Sequence, residues 1–119
     1  MFFQCYVEGK YLDLLMYQRS CDMFLGVPFN IASYSLLMEI LAIQTDLVPR
    51  YFIHKLGDAH IYLNHIDQVE QLISREPYAS PELEVFDPNK RKDVKDFKLY
   101  DFELKNYKYH PAIKATMAV

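Results

Sequence analysis

At 119 residues the chain is long enough to bury one hydrophobic core and too short for two. With 51% hydrophobic and 24% charged residues it has a globular composition, and a net charge of -3 gives nucleic acid or an acidic membrane no electrostatic hold on it. Apolar runs fall short of the roughly 18 residues that span a bilayer, and no basic segment followed by an apolar stretch opens the chain; the expectation is a soluble, cytoplasmic protein whose Cys5 and Cys21 stay reduced.

The runs 2-FFQCYV-7 and 11-YLDLLMYQ-18 have strand composition and are separated by 8-EGK-10, so the spacing predicts a hairpin with Gly9 in the turn and Arg19 to Asp22 at a strand end. A loop through Gly26 leads to Pro28, whose fixed φ suits a first helical turn, and a helix is predicted to run to about Thr45. Its interior is apolar nearly all round, with Glu39 as the only charge, which predicts a long helix buried on most sides. Pro49 should close that region. A strand over 51–56, a break at Gly57-Asp58, a helix over 66–75, a short strand over 82–86 in a Pro-containing connector, a solvated loop from Lys90 to Lys98, and strands over 97–104 and 114–119 complete the reading. Ten Tyr and eight Phe, with no Trp, suit half-buried sheets. The predicted class is α+β, a mixed twisted sheet packed against the long helix, forming one unit over 1–119.

Several side chains have chemistry to offer. Arg19 with Ser20 at a strand end can saturate phosphate oxygens, a structural salt bridge for Arg19 being the alternative. The Asn30 amide either caps the helix or reads an amide edge such as that of uracil. His60 and Tyr62 alternate and would share a face, as ligands for a sugar hydroxyl or as ordinary sheet residues. The spacing of His54, His60 and His65 matches no usual zinc pattern. Cys21, beside Arg19, has charge nearby, but spacing names no base to activate it as a nucleophile.

The run 17-YQRSCDMFLGVPFNIASY-34 followed by 52-FIHKLGDAHIYLNH-65 closely resembles the C-terminal half of thymidylate synthase. The likeness extends to the FQ-YV pattern near the start, REP at 75–77, the DF-DF pattern at 96–102, YHP-IK at 109–114 and the closing MAV. That family transfers a methylene group from 5,10-methylenetetrahydrofolate to carbon 5 of dUMP and reduces it, giving dTMP and dihydrofolate. The resemblance implies that Arg19 and Ser20 hold the dUMP phosphate, Gln18 supports the site, Asn30 reads the uracil edge, and His60 and Tyr62 bind the 3′-hydroxyl. It further implies that Asp22 contacts substrate and the pterin of the folate, that Leu25, Gly26 and Phe29 line the folate side, and that the tail around Ala118 closes over it.

The family's nucleophile is a cysteine in a Pro-Cys-His sequence just ahead of the strand that starts here near Phe2. By the resemblance its position falls just before Met1, and Pro-Cys-His does not occur in these residues, so no catalytic residue is expected among them. Cys21 is then not the nucleophile, and Cys5 stands where an aromatic residue is usual. The N-terminal arginines for the phosphate, the glutamate that assists proton transfer and much of the folate pocket are missing as well. The expectation is therefore an incomplete thymidylate synthase-like chain, inactive alone, whose partners are dUMP, folate, an N-terminal half polypeptide, a second copy in a homodimer, or a combination of these. The alternative is a non-catalytic nucleotide-binding or dimerisation module derived from the same fold.

Overall fold

The computed structural model describes residues 1–86 and 93–117, which fall into two units, 1–63 and 64–119. In the first unit, strands β1 (Phe2–Glu8) and β2 (Tyr11–Asp22) form the expected antiparallel hairpin, with Phe2 opposite Tyr17 and Glu8 opposite Tyr11. Gly9 makes the turn at φ 59°, a left-handed conformation that glycine adopts without a Cβ clash. Helix α1 (Val27–Gln44) then returns the chain so that β3 (Val48–His60) lies parallel to β2. The sheet is mixed, in the order β1-β2-β3.

Alternation along β2 decides what faces the helix. Leu12, Leu14, Met16 and Gln18 are all buried, and the first three pack with Met38 and Ala42 of α1 into a core flanked by Tyr34, Leu41, Leu47 and Phe52. Each such side chain contributes about 1.5 to 3 kcal/mol by leaving water. Gln18 continues the apolar row as a polar residue, so it lies under the sheet's far end.

Between Leu12 and Leu14 the parallel register slips, and Arg50 and Tyr51 together stand opposite Asp13. The Asp13 carboxylate repairs the irregularity: Oδ1 accepts from Tyr51 N (3.1 Å) and Arg50 Nε (2.9 Å), and Oδ2 from an Arg50 terminal nitrogen (2.7 Å). Glu8 takes another Arg50 nitrogen at 2.9 Å, and the guanidinium lies over the rings of Tyr11 and Tyr51. These contacts hold Asp13 below the usual carboxylate pKa and push Arg50 further up.

Three expectations need correction here. First, α1 is long but not buried on most sides: Phe29 is 74% and Ile31 42% exposed, and the helix residues packed into the core with β2 are Met38 and Ala42. Second, its 18 residues, with mean hydropathy 1.2, are long and apolar enough to cross a membrane by composition alone, contrary to the reading that no run sufficed; in this structure it packs on β2 and β3. Third, Gly57-Asp58 does not break the strand and Pro49 does not precede it. β3 runs through both, since Pro49 lies on a strand that pairs on one side only, where a missing N–H costs no ladder bond.

The second unit holds α2 (Ile66–Ile73), the antiparallel pair β4 (Glu82–Val85) and β5 (Phe102–Lys105), and an irregular tail. The strand expected over 97–104 is interrupted by a 3-10 turn, Leu99–Asp101, which leaves only Phe102–Lys105 extended, and a second such turn, Val94–Asp96, lies just ahead of it. Acidic side chains cause this. Asp93 accepts from Lys95 N at 3.1 Å and Asp101 from Lys98 N at 2.6 Å, offering the backbone a partner other than a neighbouring strand. Residues 114–117 form no strand; the remainder of the expected 114–119 strand and part of the Lys90–Lys98 loop lie outside the described residues. The tail is fixed by side chains bonding to main-chain oxygens: Arg75 to Pro111 O (2.8 Å), His110 to Glu76 O (2.9 Å) and His65 to Thr116 O (2.7 Å), with Tyr78 stacked on His110.

Candidate functional site

Parallel pairing puts the ends of β2 and β3 side by side, with Ser20 opposite Asp58 and Asp22 opposite His60. Arg19 and Ser20 are both exposed there. Among the described residues no carboxylate pairs with Arg19, so the salt-bridge alternative has no support. Gly57 is what lets the strands approach: a Cβ on it would meet Arg19 O at 2.6 Å and the Tyr17 hydroxyl at 2.9 Å.

A turn carries the site from β2 to the helix. Asp22 Oδ1 accepts from Phe24 N (3.0 Å) and Leu25 N (3.2 Å), and Asp22 O accepts from Gly26 N (3.1 Å). Gly26 then caps α1 and accepts from Asn30 N at 3.1 Å, which brings Asn30 back beside Gln18. One oxygen of Asp22 is thus committed to the fold. Leu25 and Gly26 are half-buried next to it, and Phe29 stands exposed on the first helical turn.

Gln18 joins three elements below this surface. Its Nε2 donates to Ser20 O (2.9 Å) and Asn30 Oδ1 (3.0 Å), and its Oε1 accepts from His54 Nε2 on β3 (3.0 Å). Asn30 therefore does not cap α1, which has no side-chain cap. On the neighbouring strand end, His60 Nδ1 lies 3.1 Å from Asp58 O and 3.7 Å from the Asp58 carboxylate, while His60 O accepts from Met23 N at 3.0 Å. Tyr62 lies beyond the end of β3 rather than on an alternating strand position, yet its ring meets that of His60 edge-on at 5.2 Å.

Cys21 is fully buried, with its Sγ donating to Gln18 O at 3.1 Å, so its sulfur faces the fold and not the ligand surface. Cys5 is exposed on β1, and desolvation raises its thiol pKa, away from the thiolate. Met1, the residue ahead of which the resemblance sets the nucleophile, is exposed and directly precedes β1, whose Phe2 stands opposite Tyr17, two residues short of Arg19. Met1 marks that position only: its thioether carries no proton to transfer and is a weak acceptor, so it is not a site residue itself.

The structure thus gathers Gln18, Arg19, Ser20, Asp22, Leu25, Gly26, Phe29, Asn30, His60 and Tyr62 around the paired strand ends in one unit. Ala118 lies outside the described residues. Sequence reasoning missed the parts of His54 and Gly57. The period-2 alternation of Phe52 and His54 was a signal for His54, but the parallel register that sets it beside Gln18 is not written locally.

Two comparisons give the family. The family model described as thymidylate synthase matches residues 1–119. The thymidylate synthase of Mycoplasma mobile is 53% identical over 119 residues, which cover 99% of this chain and 40% of that protein. This chain spans well under half the length of that relative, but the match runs through all of it, motif and framework together: the chain belongs to the thymidylate synthase family.

Proposed function

We propose that these residues supply the dUMP-binding part of a thymidylate synthase site, for the methylation of dUMP to dTMP with 5,10-methylenetetrahydrofolate as co-substrate. Arg19 and Ser20 hold the phosphate, Asn30 reads the uracil edge, and His60 and Tyr62 take the 3′-hydroxyl. Asp22, Leu25, Gly26, Phe29 and Ala118 serve the folate, which supplies the one-carbon unit and the reducing hydride. The observation that carries the reading is the exposed Arg19 beside Ser20 at the end of β2, with no carboxylate partner among the described residues, next to the Asn30 amide of α1 and to His60 at the paired end of β3. A guanidinium fork, a hydroxyl, an amide and an imidazole match the phosphate, base edge and sugar of one nucleotide.

Covalent activation of the uracil needs a thiolate to add at carbon 6, so that carbon 5 becomes nucleophilic. Cys21 is buried and Cys5 is pushed toward the thiol, so neither performs it. The attacking cysteine comes from an N-terminal half, and the 119 residues alone are inactive. Two such chains pair through their sheets as a homodimer.

Calorimetric titration and a rescue assay test this together. The chain, or its complex with a polypeptide carrying the N-terminal half through Pro-Cys-His, should bind dUMP in preference to dCMP. The complex should form dihydrofolate from dUMP and methylenetetrahydrofolate, read by absorbance, and should keep that activity with Cys21→Ser. Turnover by the chain alone, or tighter binding of dCMP than of dUMP, would refute the proposal.

A further inference from the structure

One backbone atom orients the whole hydrogen-bonded chain from half-buried His54 through buried Gln18 to half-buried Asn30. Ser20 O lies 2.9 Å from the end of the Gln18 side chain, and a carbonyl can only accept, so the atom facing it is the amide nitrogen. The second hydrogen of that nitrogen is directed to Asn30 at 3.0 Å, which requires the asparagine's oxygen there. The other end of the Gln18 amide is then an acceptor, and the imidazole nitrogen 3.0 Å away, His54 Nε2, is a protonated donor. In this arrangement every contact pairs a donor with an acceptor. A flipped Gln18 would set oxygen against Ser20 O and N–H against the His54 N–H.

We infer that His54 is a positioning residue for base recognition: its Nε2 proton locks the Gln18 amide, which fixes Asn30 with its oxygen toward Gln18 and leaves an Nδ2 donor and the second lone pair of Oδ1 for the base. This rests on the uracil-site reading above. A donor beside an acceptor complements the carbonyl at carbon 4 and the N3–H of uracil, and opposes the amino donor and the N3 acceptor of cytosine. Gln18 is only 5% exposed, so removing the His54 proton leaves Oε1 without its donor in a dry setting, and the locked orientation loses most of its advantage over the flipped one.

The test uses the full chain, or its complex with the N-terminal half, and three proteins: wild type, His54→Ala and His54→Gln, whose amide nitrogen can stand where Nε2 stood. Titrations with dUMP, dCMP and 2′-deoxyribose 5-phosphate give the base preference and a base-independent control. His54→Ala should lower the dUMP-over-dCMP ratio about tenfold, the worth of one buried donor, while the sugar phosphate binds as before. His54→Gln should restore most of the ratio. Nitrogen-15 spectra of the ligand-free wild type should show His54 protonated at Nε2. An Nδ1-protonated His54, or a ratio that His54→Ala leaves unchanged, overturns the inference, and the spectrum and the Gln variant decide even where the Ala variant fails to fold. A wild type without dUMP preference instead defeats the uracil-site reading, and the Nε2 proton then shows separately whether the hydrogen-bond chain runs as described.

Discussion

Gly57→Ala tests how closely β2 and β3 must approach to build the site. The new methyl carbon would sit 2.6 Å from Arg19 O, whereas ordinary contact begins near 3.4 Å, and the obstructing atom is backbone. The strands would have to part by about 0.8 Å, stretching ladder bonds of typically 2.9 Å beyond hydrogen-bonding range between Gln18–Leu56 and Ser20–Asp58. Overpacking and one or two lost bonds together cost about 2 to 3 kcal/mol. The displaced backbone is the one that carries Arg19 and Ser20, so dUMP affinity should fall as well. Gly9→Ala is the control: Gly9 sits at φ +59 with nothing within 4 Å of an added Cβ, so it loses about 1 kcal/mol through its dihedral alone and leaves the strand ends untouched. Urea midpoints and dUMP titrations on the two variants separate the effects. A Gly57→Ala protein as stable as wild type, or one whose nucleotide affinity falls no further than that of Gly9→Ala, would refute the close-approach reasoning.

Arg19→Ala should weaken dUMP about 10- to 150-fold, the range for a hydrogen bond to a charged group, and leave deoxyuridine binding nearly unchanged; equal losses for both would make Arg19 structural. Asp13, held below its ordinary pKa mainly by the Arg50 hydrogen bonds, contributes stability that is complete above about pH 4 and is lost as pH falls through its lower folded value. Asp13→Asn should therefore lower the urea midpoint at neutral pH and flatten its decline in acid, and a decline as steep as in wild type would count against the Asp13–Arg50 pair. Glu39 has the opposite sign: burial in α1 raises its pKa, so its unfavourable contribution sets in as pH rises from the ordinary carboxylate value through the folded one. Glu39→Gln should raise the midpoint at pH 7 and change little at pH 3, which the same denaturation series measures.

The sequence carried the first 45 residues well. Gly9 and Pro28 mark the turn and helix start by dihedral preference, and Leu12, Leu14 and Met16 show the buried face by alternation, all of which are local signals. It misled where partners decide. Gly57 reads as a break until β2 is known to lie against it, and the 97–104 stretch reads as a strand because Asp101 capturing the Lys98 amide leaves no mark on hydrophobic period. The exposure of α1 was illegible for a similar reason, since an apolar helix does not state how much sheet is present to cover it. At the site, the residue types and the resemblance named side chains that the structure sets together around the paired strand ends. The direction of the Gln18 hydrogen bonds needed the parallel register.

The Gln18, Asn30 and His54 contact also has a kinetic meaning. Gln18 and Asn30 are 12 residues apart, and Gln18 and His54 are 36 apart, so the amide pair closes over a short loop and the imidazole arrives only when β3 docks. A refolding chain that has made its hairpin and α1 already displays Arg19 and Ser20 on a strand. On the proposed dUMP site, it would hold a phosphate before it could tell one base from another. Selectivity for uracil over cytosine should appear later in refolding than affinity for the sugar phosphate, and the delay between them times the docking of β3.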